Sequence, residues 1–236
     1  MEKIKIDKTT VEVSRLGFGT AGLHHIFSSK KKRLLLSKVL DSGITHFDTS
    51  PYYGNGVAER DLGKTLMEKR NLLTISTKIG LYPKYYANSN IQLWMYKGFG
   101  KIVNDISLPL VNWTIEKAKN SLNQSLKRLR SDYVDFLFLH EPNINLIKSD
   151  EFISWLEREQ RKGKIRYWGI AGESILYEKW LTNNHPLTRI IQCRDSFEKK
   201  EADILINKNR KLQFTYGYIS SYYRNNKRKK SAKSLL

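Results

Sequence analysis

Only one cysteine, Cys193, stands in the 236 residues. No disulfide can close within the chain, and a reducing compartment suits it. Cys193 follows Gln192 and reads as a small buried neighbour, not a nucleophile. No apolar run is long enough to cross a membrane, and no signal-peptide pattern opens the chain, so the expected location is cytoplasmic. No Cys/His cluster has metal-ligand spacing; His24-His25 reads as a loop-rim pair and His46 as a satisfied core residue. A Rossmann-type glycine fingerprint is not read in the chain.

Acidic residues are also scarce, 23 against 42 Lys and Arg, for a net charge of +19. Such a balance permits binding to nucleic acid or an anionic surface. The lysines are scattered over helical segments, however, with runs only at 30–33, 199–200 and 224–233, and no nucleic-acid motif accompanies them. The run at 224–230 reads as a loop leading into a helix begun by residues 231–236. The surface is therefore read as basic and solvated, and nucleic acid is not an expected partner.

What the chain does carry is a set of apolar or β-branched runs that stop on ionisable residues. Asp48 closes the run from Gly43, Lys78 closes the run from Leu72, and His140 closes the run from Tyr133. Tyr53 follows Asp48 five residues later. Burying a charge without a partner is expensive, so runs ending this way suggest parallel strands aiming their C-terminal ends at one polar site.

These four side chains suit one kind of chemistry. A tyrosine with an ordinary pKa of about 10 is a poor proton donor near neutral pH. A lysine ammonium close by is expected to lower that value, and an aspartate keeps the lysine charged and in place. Asp48, Lys78 and Tyr53 are then expected to titrate as a group. His140 is suited to hydrogen-bond a carbonyl oxygen and turn it toward Tyr53. Nothing in the set delivers hydride, so a nicotinamide cofactor is implied.

Strands are expected at 14–19, 43–48, 72–78, 133–140, 165–170, 189–192 and 211–216, and helices at 29–41, 58–69, 114–130, 149–162, 174–183 and 199–207. In the fourth helix Ile115, Ala118, Leu122, Ser125, Leu126 and Leu129 share a face; Thr114 with Lys117 lacks the acidic partner of a capping box. Alternating strands and helices argue for a parallel sheet covered by helices. Residues 80–111 add no obvious barrel unit. That stretch carries Tyr82, Tyr85, Tyr86, Trp94, Tyr96 and Phe99, and reads either as a substrate-covering loop or as a loop packed on its own barrel. At the N-terminus Ile4, Ile6, Val11 and Val13 alternate.

The segments Leu16-Gly17-Phe18-Gly19-Thr20, Phe47-Asp48-Thr49-Ser50-Pro51-Tyr52-Tyr53-Gly54, Ser76-Thr77-Lys78-Ile79-Gly80, Asp135-Phe136-Leu137-Phe138-Leu139-His140-Glu141-Pro142 and Gly163-Lys164-Ile165-Arg166-Tyr167-Trp168-Gly169-Ile170 follow one another in an order that resembles the aldo-keto reductase family. The resemblance implies an α/β fold of the (β/α)8 TIM-barrel type, one domain over 1–236, with an N-terminal hairpin across the barrel's far end. It implies an oxidoreductase moving hydride between NADP(H) and a small-molecule carbonyl or alcohol. Asp48, Tyr53, Lys78 and His140 match its catalytic tetrad, with Tyr53 as proton donor. Gly19, Thr20, Asp48, Gln192 and Tyr216 match positions that hold the cofactor.

The departures are specific. The family commonly has Ser-Asn on the nicotinamide carboxamide where this chain has Ala171-Gly172. The expected strand count is seven, so the eighth strand and the loop that holds the ribose phosphate are expected to be missing. Leu235 and Leu236 would begin a helix face that nothing completes. An open sheet edge of this kind invites self-association. The alternative reading is a non-catalytic or degenerate member acting as a binding or regulatory protein.

Overall fold

The computed structural model describes residues 1–100 and 108–223, with the backbone alone for 96–100. The expectations for the basic run at 224–230, for residues 231–236 and for the side chains of Tyr96 and Phe99 therefore lie outside the described residues. The alternating N-terminal residues form an antiparallel hairpin, β1 (Lys3–Lys5) and β2 (Glu12–Ser14), which buries Ile6, Val11 and Val13 against Phe136, Phe138 and Ala171. That inner cluster is separate from the larger core under the helices.

Seven parallel strands follow: β3 (Gly17–Gly19), β4 (His46–Asp48), β5 (Thr74–Ile79), β8 (Val134–His140), β9 (Ile165–Gly172), β10 (Ile191–Arg194) and β11 (Phe214–Tyr216). They pair in chain order, from β3 to β11, as a curled half-barrel. Every residue of β5 and β8 is buried, the pattern of parallel strands covered on both faces. Asp135, inside β8, is compensated at its carboxylate: it accepts from Arg70 at 2.8 Å, the Ile75 amide at 2.8 Å and Arg166 at 2.9 Å.

The helices are α1 (Ser29–Asp41), α2 (Val57–Leu66), α3 (Asn90–Gly100), α4 (Ile115–Leu129), α5 (Ser149–Arg161), α6 (Glu178–Thr182) and α7 (Asp203–Asn207). In α4 the residues Ala118, Leu122, Ser125, Leu126 and Leu129 are buried on one face. Thr114 caps it without a box partner, its side chain accepting from the Lys117 amide, and Arg130 ends it in a left-handed conformation. No helix among the described residues is long and apolar enough to cross a membrane.

Several expected boundaries are corrected. Residues 14–19 divide between β2 and β3. The expected helices 174–183 and 199–207 shrink to α6 and α7, of five residues each. Strand 211–216 shortens to β11 because Leu212 is exposed and the Gln213 side chain, not its backbone, accepts from the Ile191 amide. The stretch 80–111 has structure of its own: β6 (Leu81–Tyr82) pairs with β7 (Leu110–Val111), and α3 lies between. Its inner aromatics pack on the barrel. Tyr82 is fully buried beneath the Lys117 ammonium, and Arg128 lies 4.6 Å over Tyr86. Tyr85 and Trp94 remain exposed.

The glycine fingerprint also needs correction. Gly17, Gly19 and Gly22 do carry the G-x-G-x-x-G spacing. The third glycine leads into a short 3-10 turn, Leu23–His25, and α1 begins only at Ser29, so no helix N-terminus follows the glycines as a Rossmann site requires.

Candidate active site

Parallel register brings the expected residues together. Gly19, Asp48 and Ser76 lie side by side across β3, β4 and β5, and Lys78 lies two residues beyond Ser76 on the same face. Ser76 Oγ donates to Asp48 Oδ1 at 2.6 Å. Lys78 Nζ donates to both Asp48 oxygens at 2.7 Å and to the Thr49 carbonyl at 2.9 Å. Between them, Thr77 points the other way and donates to the fully buried Glu59 at 2.6 Å, whose second oxygen takes the Arg128 Nε at 2.7 Å. The strand is thus gripped from both faces.

Tyr53 arrives from a sharp bend. Gly54, Asn55 and Gly56 follow it with φ of 57°, 55° and 87°, and a Cβ on Gly54 would stand 2.6 Å from the His24 Cβ. The bend sets the Tyr53 ring centroid 4.9 Å from Lys78 Nζ and 6.0 Å from the His140 ring, nearly perpendicular to it. His140 ends β8 opposite Ala171 of β9.

Electrostatics correct one expectation. Burial is the largest influence on Tyr53 and raises its pKa; the Lys78 charge and hydrogen bond pull it back, but the net direction is up. The phenol is held protonated, not activated toward phenolate. Burial also works to lower the Lys78 pKa, yet the Asp48 charge, then Tyr53, outweigh it and the ammonium is stabilised. Asp48 is lowered in spite of burial by the Lys78 charge and by hydrogen bonds from Lys78, Ser76 and Gln192. Burial, then repulsion from Lys78, drives His140 down to about 3, so its ring is neutral. Its Nδ1 is buried and has no partner among the described residues.

Of the residues expected at the cofactor, Gly19, Asp48, Gln192 and Tyr216 line one cleft of about 300 Å³ between β3 and β11. Thr20 does not: it is fully buried, and its backbone amide and Oγ1 both donate to the Asp48 carbonyl. His46 lines the same cleft from below. It is only half satisfied, with Nδ1 2.9 Å from Thr74 Oγ1 and Nε2 buried without a partner among the described residues. Cys193 is buried, and burial raises its thiol.

Glu141 escaped the sequence reading. It has a left-handed backbone, φ 50°, and its carboxylate accepts from the Glu173 amide and the Tyr216 hydroxyl, each at 3.2 Å. A Cβ at Gly172 would stand 2.5 Å from its Oε2. The carboxylate thus occupies the space that a side chain at 172 would need. Burial raises its pKa. The available signal was the pairing of an acid directly after a strand-ending histidine with a glycine at the end of the next strand.

A model of the aldo/keto reductase family matches residues 15–208. The chain is 30% identical over 183 residues to an L-galactose dehydrogenase of Arabidopsis thaliana, covering 73% of this chain and 50% of that protein. It is 31% identical over 212 residues to the aldo-keto reductase YhdN of Bacillus subtilis, covering 87% and 57%. A solved aldo-keto reductase of Bacillus halodurans, in its holo form, superposes with a TM-score of 0.69 at 24% identity, over 90% of this chain and 65% of that one, a likeness of fold. The chain spans about half the length of the curated relatives it matches.

Proposed function

The chain belongs to the aldo/keto reductase family of oxidoreductases, and from that premise we propose that its site reduces a carbonyl, or oxidises the corresponding alcohol, with NADP(H). The observation behind the reading is the convergence on Tyr53 of a lysine locked to an aspartate and a neutral histidine. His140 hydrogen-bonds the carbonyl oxygen and turns it toward the phenol. Tyr53 donates the proton, and Lys78, held by Asp48, stabilises the phenolate left behind. The raised Tyr53 pKa keeps the proton available across the neutral range. In the oxidising direction the same phenol must first lose it.

The residues present fit the nicotinamide end of such a cofactor. The cleft between β3 and β11 has Gly19 at its wall, where a Cβ would meet nothing within 4 Å, so a flat ring can approach closely. Gln192 is 5% exposed and offers an amide to a carboxamide. Tyr216, at the end of β11, flanks the same space. The cofactor supplies hydride; the chain's residues bind it, orient it and hold the proton. A small-molecule carbonyl is the substrate class, one domain carries the site, and the location is cytoplasmic.

Replacing Tyr53 tests the reading. Tyr53→Phe should lower carbonyl reduction by about 10²–10⁴-fold while leaving NADPH fluorescence binding unchanged. Retained turnover would reject Tyr53 as the acid. Lys78→Met should abolish reduction, since the phenolate loses its partner; circular dichroism in parallel separates this from unfolding, because Asp48 is left unpaired. Wild-type chain that binds NADPH and turns over no aldehyde would favour the non-catalytic reading. For active chain, reduction should stay level across neutral pH and fall only above about 10.

A further inference from the structure

At the end of the sheet where the strands begin, opposite the residues proposed for catalysis, three cations share a cleft that no carboxylate lines. Lys8 lies in the turn between β1 and β2, Arg189 shortly before β10, and Arg210 before β11. With Asn184, His185 and Thr188 they line a cleft of about 340 Å³. Gln213 is the reason these separate segments meet. Its amide nitrogen donates to the Asp7 carbonyl at 2.9 Å and to the Arg189 carbonyl at 3.1 Å. Arg210 is fixed from the other side, donating to the Thr188 carbonyl and to Asn184 Oδ1 at 3.3 Å.

Three properties separate this cluster from ordinary surface lysine and arginine. Asp7, the neighbouring carboxylate, lies 3.7 Å from Lys211 and attracts Lys8 and Arg210 from outside the cleft, and Lys8, Arg189 and Arg210 make no ion pair among the described residues. Lys8 holds a left-handed backbone, φ 62°, which residues with a side chain rarely adopt. Its ammonium is pushed below the ordinary lysine value by burial first, then by Arg210 and, less strongly, Arg189, against the opposing pull of Asp7. His185 adds a neutral donor: its Nδ1 accepts from the Leu187 amide at 3.3 Å, leaving the proton on Nε2. Like charges gathered on fixed elements repel one another, and an anion among them reverses the sign of that interaction.

We propose that this cleft binds a phosphate group, as inorganic phosphate or as the phosphomonoester of a small molecule. Guanidinium forks match phosphate oxygens in pairs, and an ammonium completes the charge. The cleft is at the low end of ligand-site volumes, which suits a phosphate with a short carbon chain. The site is separate from Asp48, Tyr53, Lys78 and His140, so occupancy is read without turnover.

Calorimetric titration of the 236-residue chain with inorganic phosphate and with glycerol phosphate, at constant ionic strength and against chloride, tests the site. Saturable binding is expected, weakened about tenfold or more by Arg189→Gln and by Lys8→Gly. Lys8→Gly should at the same time raise the melting temperature, because glycine is at ease with the left-handed backbone. A lysine kept only for structure would not lose binding as stability rises. Lys127→Gln, exposed on α4 and outside the cleft, should bind as wild type. Tighter binding of the ester assigns the site to a metabolite, and tighter binding of phosphate assigns it to the free ion. The proposal falls if both cleft variants bind unchanged or if chloride gives the same heat. It also falls if only an RNA oligomer binds, with a salt dependence shared by Lys127→Gln, since that marks diffuse surface attraction.

Discussion

The middle of the sheet and its two margins are built to different standards. β5 and β8 run for six and seven residues, all buried, and are backed by α4 and α5 with 15 and 13 residues. β3 and β11 have three residues each, partly exposed, and α6 and α7 have five. The set proposed for catalysis hangs from the well-built region: Lys78 is the last residue but one of β5, His140 is the last of β8, and Asp48 is clamped by Ser76 and Lys78. The cleft proposed for the nicotinamide lies between the margins, with Gly19 on one and Tyr216 on the other. A strand with neighbours on both sides satisfies its backbone and buries both faces. A margin strand does neither, so its conformation is held by fewer interactions and adapts more readily to what lies beside it.

The sharpest way to break this contrast is to damage the centre. Asp135→Ala leaves Arg70 buried without its carboxylate and removes the acceptor of the Ile75 amide, so unfolding in urea should show a loss of about 3–5 kcal/mol. A loss below about 1 kcal/mol would mean that the centre is no better braced than the margins. A smaller effect comes from pH. Burial is the first cause of the low pKa of His46, about 4, and of His140, about 3. Both values lie below the unfolded value of about 6.5, so the unfolded chain binds more protons as the solution becomes acid. Their contribution is complete above pH 6.5 and is lost as pH falls toward 4 for His46 and toward 3 for His140, with a slope of about 1.4 kcal/mol per unit for each histidine. His46→Gln should make the denaturation midpoint flatter between pH 6.5 and 4; an unchanged slope would show that His46 is not buried neutral.

The smallest effect belongs to the margin. The Tyr216 carbonyl accepts from the Asp195 amide, so Phe214 and Tyr216 direct their backbone groups to β10 and Thr215 directs its own to the side where no strand pairs among the described residues. Wild-type chain should associate weakly through that edge as concentration rises. Thr215→Pro removes that outward-facing donor and should restore monomeric mass in light scattering with little change in melting. Equal association in wild type and variant would place the contact elsewhere.

Much of the central region was legible because its signals are local. An apolar run that ends in Asp48 or His140 states both that a strand is buried and where it stops, and the run ending in Lys78 places its strand's end to within one residue, at Ile79. Ala118, Leu122, Ser125, Leu126 and Leu129 describe one helix face without help from other segments. The margins were read too generously. Residues 211–216 look like a six-residue strand, but Leu212 is exposed and Gln213 spends its side chain joining Asp7, Arg189 and Ile191. Residues 80–111 look like a loop because α3 mixes apolar and glycine residues without a clear face. Glu141 was passed over since its meaning depends on the emptiness of Gly172, 31 positions away.

The order of residue types by itself determined the alternation of strands and helices, the ends of the central strands to within one or two residues and the presence there of an aspartate, a lysine and a histidine, because hydrophobic periodicity and its interruption act over a few residues. Tertiary structure decided the rest. Whether Tyr53 rises or falls in pKa depends on burial competing with Lys78; whether Lys8, Arg189 and Arg210 meet depends on one glutamine bridging two carbonyls. Desolvation and charge are summed over everything that folding brings near, and that sum is set by neighbours distant in the chain.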